Sequence, residues 1–227
     1  MRILAIETSG RRGAVATLFG EADNARLIHQ TVLADDERTA QALAPTLRQL
    51  LAKTGWPPNF VQLVAVAIGP GSFTGLRIGV TTAKTLAYAV GAEIIGVDTL
   101  AVLAAQVLPT GGPLWTIMDA QRQELFAARF ERQGAADLRK VSDTLIISQD
   151  DWLAGLQPGE LVTGPALPKL AARLPTGVVA VTEDLWQPTA AAVGDVAWRA
   201  YQNGQRDDVW KLVPNYYRPS AAEEKRR

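Results

Sequence analysis

Apolar runs and turn-forming residues alternate regularly along the first part of the chain. Three short β-type runs, over residues 3–6, 14–19 and 26–33, are separated by glycine- and asparagine-containing turns. Their close spacing predicts an antiparallel meander. A helix is predicted next over 37–54, because Leu43, Leu47 and Leu50 recur at helical spacing.

Two strand–helix pairs are predicted after this helix. Residues 63–68 are a continuous apolar run, which is typical of a strand covered on both faces. The glycine-rich turn Gly69-Pro70-Gly71-Ser72 then leads into a helix predicted over 73–90. A strand over 93–97 follows, and then a helix that is capped by Asp98 and runs to about Leu108.

The same order of elements restarts after the break at 109–113. Strands are predicted over 114–118, 124–130, a run reaching 147, 160–163 and 178–181. Helices are predicted over 168–174 and at two places where Ser148 and Thr189 act as N-caps. Each half therefore reads as a ribonuclease H-like unit. The sequence predicts an α/β fold of two tandem ribonuclease H-like domains, over 1–108 and 113–227, each a mixed sheet with flanking helices. This is the plan of the actin-like ATPase superfold.

Composition removes several kinds of chemistry. The 227 residues include no cysteine and one histidine, His29, which excludes disulfides, thiolate metal sites and metal motifs that need two histidines. Lys and Arg number 23 and Asp and Glu also number 23, so the charge does not favour a general nucleic-acid binder. Because no apolar run approaches about 18 residues and the first one is short, we expect a cytoplasmic protein without membrane contact.

The glycine-rich turn is a candidate anion site, because a strand, a glycine turn and a helix N-terminus can present backbone N–H groups. Its spacing fits neither a Walker A loop nor the dinucleotide fingerprint. The candidate cofactor-binding residues are Thr8, Ser9, Gly69 and Gly71. The alternative is that these glycines only permit a tight turn and close helix packing.

Two acidic residues occupy corresponding hairpin turns of the two halves. Glu7 follows the first strand, and Asp119 follows the first strand of the second half. Such a pair could position a metal-bound nucleotide or a water molecule. The other interpretation is that short polar residues simply make good turns.

A ridge of small residues along the 73–90 helix predicts close contact with another helix. Gly75, Gly79, Ala83 and Ala87 recur every four residues. The predicted partner interface comprises this ridge with Val80, Arg77, Thr81, Lys84 and Tyr88, and Gln41 and Leu43 of the preceding helix. A partner chain and the 37–54 helix of the same chain are both candidate neighbours of the ridge.

Five segments together resemble the TsaB family, also called YeaZ, the dimerisation subunit of bacterial tRNA threonylcarbamoyladenosine (t6A) synthesis. They are 3–9 (I-L-A-I-E-T-S), 69–80 (G-P-G-S-F-T-G-L-R-I-G-V), 95–100 (I-G-V-D-T-L), 119–126 (D-A followed by E-L-F) and 214–218 (P-N-Y-Y-R). The segments span nearly the whole chain, and the 69–80 motif is the most specific. Glu7, Thr39 and Gln121 depart from the aspartate, histidine and arginine that are common in the family.

The resemblance implies a partner subunit rather than an enzyme. The related catalytic subunit TsaD holds a metal through two histidines, and these align with Thr99 and Leu103 here, which cannot replace two imidazoles. The implied partners are TsaD, the ATPase TsaE and, for the chain alone, a second copy, with tRNA reached only through the complex. No tightly bound cofactor or metal is implied, and weak ATP or ADP binding at a subunit junction stays open. The alternative is an independent actin-like ATPase or kinase, or a glycoprotease-type hydrolase.

Overall fold

The computed structural model describes residues 1–22, 24–34, 38–107, 112–133 and 137–218. It divides into two compact units, one formed by Met1–Thr99 with Thr189–Arg227 and the other by Leu100–Pro188. Within the described residues, no helix is long and apolar enough to cross a lipid bilayer.

A five-stranded mixed sheet organises the first unit. Its elements are β1 (Arg2–Glu7), β2 (Ala14–Glu21), β3 (Asn24–Val32), α1 (Thr39–Thr54), β4 (Leu63–Gly69), α2 (Phe73–Val90) and β5 (Glu93–Asp98). The strand order is β3-β2-β1-β4-β5. The central strand β1 pairs antiparallel with β2 and parallel with β4, so the ends of β1, β4 and β5 meet at one edge.

The core of this unit follows the two-residue alternation of its strands. On β1, Leu4 and Ile6 point into a buried cluster, whereas Ile3 and Ala5 are buried on the opposite face. The helices α1 and α2 complete the cluster with Leu43, Leu47, Leu50, Leu51, Val80, Ala83 and Ala87. This apolar burial holds α1 and α2 against one face of the sheet.

The second unit has the same sheet order. After α3 (Thr99–Gln106) come β6 (Leu114–Asp119), β7 (Glu124–Gln133), β8 (Asp137–Lys140), β9 (Leu145–Ser148), α4 (Gln149–Gly155), β10 (Leu161–Thr163), α5 (Leu167–Leu170) and β11 (Val179–Ala180). The order is β8-β7-β6-β10-β11, and β9 also pairs with β7. The third-strand position is thus divided between β8 and β9, where the sequence predicted one run.

The last helix, α6 (Ala190–Gln202), belongs to the first unit. It packs on the sheet face opposite α1 and α2, where the Trp198 indole lies over Gly20, which has no Cβ to obstruct it. The Asp195 carboxylate accepts a hydrogen bond from Ala25 N at 3.1 Å, and Ala191 N donates to Gln30 Oε1 at 2.8 Å. The boundaries expected from sequence, 1–108 and 113–227, therefore differ from the observed units.

Most predicted elements are present with small shifts at their ends. The first long helix begins at Thr39, and residue 37 lies outside the described residues, as do 108–111 of the expected junction. The predicted caps at Ser148 and Thr189 are confirmed, since their side chains accept hydrogen bonds from Asp151 N and Ala192 N.

Candidate functional site

The side chain of Glu7, the last residue of β1, takes up the hydrogen-bond donors of the turn that follows. The fully buried Glu7 carboxylate accepts hydrogen bonds at Oε1 from Ser9 N at 2.5 Å, Ser9 Oγ at 2.6 Å and Gly10 N at 3.2 Å. Backbone N–H groups in such a turn are the donors that would hold a phosphate. Here they hold a carboxylate of the same chain.

Burial sets the protonation of this carboxyl group. Desolvation raises the pKa of Glu7 to about 7, and the hydrogen bonds from Ser9 and Gly10 offset only part of that rise. Among the described residues, Oε2 of Glu7 has no hydrogen-bond partner. The group therefore changes charge near neutral pH inside the fold.

The glycine-rich turn packs directly on Thr8 and Ser9. Ser72 N donates to the Ser9 carbonyl oxygen at 2.7 Å, and Ser72 Oγ caps α2 by accepting from Gly75 N at 3.2 Å. The carbonyl and hydroxyl oxygens of Thr8 fill the spaces where Cβ atoms on Gly75 and Gly79 would lie. The N-terminus of α2 is thus covered by the β1 turn.

The four candidate cofactor-binding residues lie on the β1 turn and on the glycine-rich turn after β4. Gly71 lies against Ser9, and Gly69 packs beside Leu76 and the Asn215 carbonyl oxygen. Thr8 and Ser9 are both buried. Their contacts are those of close backbone packing, and cofactor binding by Thr8, Ser9, Gly69 and Gly71 stays a prediction.

The corresponding turn of the second unit is also satisfied internally. Asp119 Oδ1 accepts from Gln121 N at 2.8 Å, and Oδ2 accepts from Lys169 Nζ at 2.8 Å. Partial burial raises the pKa of Asp119, but the hydrogen bonds and positive charge around it outweigh burial and leave the pKa below its usual value. Each of the two turn carboxylates is therefore engaged within its own unit.

Thr99 and Leu103, which the sequence resemblance sets against two metal-binding histidines, carry no imidazole, carboxylate or thiolate group for a metal ion. Thr99 and Leu103 are fully buried and offer one hydroxyl group between them. Within the described parts of the chain, no group of three His, Cys, Asp or Glu side chains is close enough to hold a metal.

The predicted ridge on α2 faces the interior of its own unit. Gly75, Gly79, Val80, Ala83 and Ala87 are all buried, and so is Leu43 of α1. The ridge exists because α2 must approach the β1 turn and the sheet closely. These six residues are not available to a partner, which corrects that part of the predicted interface.

The other predicted interface residues lie on the outer side of α1 and α2. Gln41, Arg77, Thr81 and Tyr88 are exposed, and Lys84 is half-buried. A partner that bound to these helices would therefore contact these polar and aromatic side chains and not the small residues of the ridge.

Sequence reasoning missed a segment that lies along α2. We call residues 207–217, which follow α6, the C-terminal strap. Lys84 Nζ donates to the carbonyl oxygens of Trp210 at 3.1 Å and Leu212 at 3.0 Å. Arg77 Nε donates to the Tyr216 hydroxyl at 2.8 Å, so the strap is bound to two predicted interface residues.

The strap is anchored at three further places. Leu212 inserts into the core of the first unit, Asn215 N donates to the Ile68 carbonyl oxygen at 2.7 Å, and Asp207 Oδ2 accepts from Gly96 N at 2.8 Å. The P-N-Y-Y-R segment was the one sequence signal that could have identified this structure, because its asparagine and first tyrosine make two of these contacts.

Comparisons with known proteins agree with this architecture. The family model described as TsaD, tRNA N6-adenosine threonylcarbamoyltransferase, matches residues 33–183. The tRNA threonylcarbamoyladenosine biosynthesis protein TsaB of Bacillus subtilis is 34% identical over 157 residues, which are 69% of this chain and 66% of that protein. TsaB of Escherichia coli is 33% identical over 134 residues, 58% of this chain and 56% of that protein.

A solved structure matches nearly the whole chain. YeaZ from Pseudomonas aeruginosa superposes with a TM-score of 0.80 at 23% identity, covering 95% of this chain and 99% of that one. The two units and their shared sheet order thus define a protein of the actin-like ATPase superfold. Within that superfold, the chain belongs to the TsaB (YeaZ) family.

Proposed function

We propose that the chain is a catalytically silent partner subunit that binds TsaD and supports threonylcarbamoyl transfer to N6 of adenosine 37 in tRNAs. The observation that carries this proposal is the position of the Glu7 carboxylate, which takes the N–H groups of Ser9 and Gly10. The pathway is that of the relatives in Bacillus subtilis and Escherichia coli, which are tRNA threonylcarbamoyladenosine biosynthesis proteins.

The closed turn argues against an independent ATPase or kinase. A phosphate placed at the β1 turn would compete with the Glu7 carboxyl group for its donors. Above about pH 7, where Glu7 is ionised, the negative charge would also repel the phosphate. The N-terminus of α2 offers no replacement, because Ser72 caps it and the Thr8 backbone covers it. A peptidase would need a metal or an activated nucleophile, and Thr99 and Leu103 do not supply metal ligands.

The fold supports a role in assembly through its outer helices. Gln41, Thr81 and Tyr88 are exposed on α1 and α2, and the strap extends that surface. A second copy of the chain occupies this face when TsaD is absent, TsaE joins the assembled complex, and tRNA is reached only through the complex. No cofactor is tightly bound, and weak ATP or ADP binding is confined to a subunit junction.

Reconstitution with the catalytic TsaD subunit tests the proposal. Threonylcarbamoyl transfer to tRNA is measured with TsaD, with the chain, and with both together, in the presence of the remaining pathway proteins. The chain alone is expected to give no product, and product is expected to depend on both subunits. Thr81→Trp is expected to reduce complex formation and product together, whereas Leu27→Trp, at an exposed position on β3, leaves both unchanged.

Two results would overturn the proposal. Product formation by TsaD that is the same with and without the chain would remove the supporting role. Turnover of Mg-ATP by the isolated chain at enzymatic rates, lost in Thr8→Ala, would favour the alternative ATPase or kinase and reassign the β1 turn to catalysis.

A further inference from the structure

The chain contains one Asn-Gly pair, and this pair lies at the end of α6. Of the four asparagines, Asn24, Asn59, Asn203 and Asn215, only Asn203 is followed by glycine. Asn203 caps the C-terminus of α6, and both Asn203 and Gly204 are exposed. Gly204 has a φ of 86°, in the left-handed region that glycine adopts without strain. The geometry of the helix end therefore favours glycine directly after Asn203.

An asparagine followed by glycine can lose its side-chain amide without an enzyme. The Gly204 nitrogen attacks the Asn203 Cγ, a new N–Cγ bond forms, the Cγ–Nδ2 bond breaks, and Nδ2 leaves as ammonia with the proton of the Gly204 N–H. Water then opens the resulting cyclic imide at either carbonyl group and gives aspartate or isoaspartate. Glycine presents no Cβ that would obstruct the attack. Water from the solvent is the only co-reactant.

The native end of α6 restrains this reaction. The Gly204 N–H donates to the Tyr201 carbonyl oxygen at 3.0 Å. Ring closure needs the Asn203 Cβ and the Gly204 nitrogen to be eclipsed about the Cα–C bond, and the observed ψ of 10° at Asn203 keeps them apart. The last turn of α6 must therefore open before the attack. Helix ends are among the least stable parts of a fold, so this opening is accessible to the native chain.

The Arg206 guanidinium assists the attack in two ways. Its Nη1 donates at 2.8 Å to the Tyr201 carbonyl oxygen, so it competes with the Gly204 N–H for the same acceptor. Its positive charge lies over the Tyr201 ring, 3.3 Å from the ring centre. A cation held this close to Gly204 stabilises the negative charge that develops on the attacking nitrogen and on the adduct at Cγ.

The residues that follow the pair begin the strap. Asp207 Oδ2 accepts from Gly96 N at 2.8 Å, and Asp207 N donates to the Ile94 carbonyl oxygen at 3.2 Å. Isoaspartate at position 203 adds one carbon to the backbone shortly before this anchor. The new carboxylate also lies at the C-terminus of a helix, where the helix dipole disfavours negative charge.

We propose that Asn203 is a site of spontaneous deamidation, that the reaction requires the last turn of α6 to open, and that it releases the Asp207 anchor of the strap. This inference is independent of the proposed function, because it concerns the chemistry of the chain itself. Peptide mass spectrometry of the full chain, incubated in neutral and in mildly alkaline buffer, tests it.

The Asn203 peptide is expected to gain the mass of an amide-to-acid exchange, faster at the higher pH. Asn24 and Asn59 are exposed and precede alanine and phenylalanine, so they are internal controls and should react at least about tenfold more slowly. In urea, Asn203 should react at least about tenfold faster than in the folded chain. No reaction at Asn203, or equal rates in the folded and unfolded chain, would overturn the proposal.

Gly204→Ala tests the attacking nitrogen. The added Cβ should slow deamidation about tenfold, although alanine also weakens the left-handed cap. Gly55→Ala is the matched control, because Gly55 caps α1 with a φ of 73° and, as at Gly204, no atom lies near the position of an added Cβ. It should change the rate at Asn203 by less than about twofold. Faster deamidation in Gly204→Ala would overturn the proposed attack.

Hydrogen exchange at Gly96 N tests the release of the strap. β5 is an edge strand, and the Gly96 N–H donates to Asp207. In the isoaspartate form, isolated by ion exchange, this N–H should exchange at least about tenfold faster than in the unmodified chain. Asn203→Asp adds the charge without the extra carbon and should be intermediate. Unchanged exchange at Gly96 in the isoaspartate form would overturn the proposed release.

Discussion

The hydroxyl oxygen of Thr8 fills the space that a Cβ atom on Gly79 would occupy. This contact joins the turn after β1 to the middle of α2, and Thr8 Oγ1 makes no hydrogen bond within the described residues. Residue 79 must therefore stay glycine for steric reasons internal to the fold. A substitution of Gly79 affects folding before it affects binding to a partner.

Gly79→Ala is expected to lower the free energy of unfolding by about 1–3 kcal/mol, because the added methyl group overpacks the β1 turn. Urea denaturation measures the change. Thr81→Ala, at an exposed position on the same helix, should change stability by less than about 0.5 kcal/mol. Thr8→Ala combined with Gly79→Ala should recover part of the loss, and full additivity of the two changes would contradict the contact.

Glu7 gives the protein a pH-dependent stability. The pKa of this carboxyl group is raised from 4.5 to about 7 in the fold, so the native state holds a proton that the unfolded chain releases. The free energy of unfolding should fall as pH rises between these two values and level off above about pH 7. The loss from this group is on the order of 3 kcal/mol.

Glu7→Gln removes the titrating group and keeps an acceptor for Ser9 and Gly10. The variant should match the wild-type stability near pH 4 and exceed it near pH 8 by on the order of 3 kcal/mol, in urea unfolding at both pH values. Glu21→Gln, at an exposed site, serves as the control and should follow the wild-type profile. A Glu7→Gln variant with the wild-type pH profile would show that Glu7 does not titrate in this range.

The strap offers two adjacent positions with opposite environments. Leu212 is 9% exposed and lies in the core, whereas Val213 is 60% exposed. Leu212→Ala should lower the free energy of unfolding by about 2–4 kcal/mol, and Val213→Ala by less than about 0.5 kcal/mol. Equal and small effects of the two changes would mean that the strap is not packed on the first unit in solution.

Local pattern was enough to predict most strands and helices, because strand and helix periodicity are read from neighbours in sequence. Local pattern could not predict which sheet α6 packs against, because its apolar face carries Val193 and Ala197 at a spacing that fits either sheet. What assigns it to the first sheet is distant in sequence, namely the bare surface at Gly20 under Trp198 and the Asp195 bond to Ala25.

The sequence predicted which residues pack closely on α2, but not whether they face a partner or the interior of the chain's own unit. The glycine ridge predicted close packing correctly, yet pattern alone could not decide between a partner and the chain's own β1 turn. That choice depends on Thr8, which is remote from Gly79 in sequence and meets it only after β1 and β4 pair. The strap escaped prediction because irregular segments carry no periodicity.

The absence of cysteine allows a direct measurement of where the partner binds. Thr81→Cys on the outer side of α2 and Arg26→Cys on β3 each introduce a single exposed thiol. The rate of thiol modification is then measured with and without the catalytic TsaD subunit. We expect TsaD to slow modification of Thr81→Cys at least about tenfold, by occluding the thiolate, and to leave the modification rate of Arg26→Cys unchanged. Protection of Arg26→Cys with full reactivity at Thr81→Cys would contradict it.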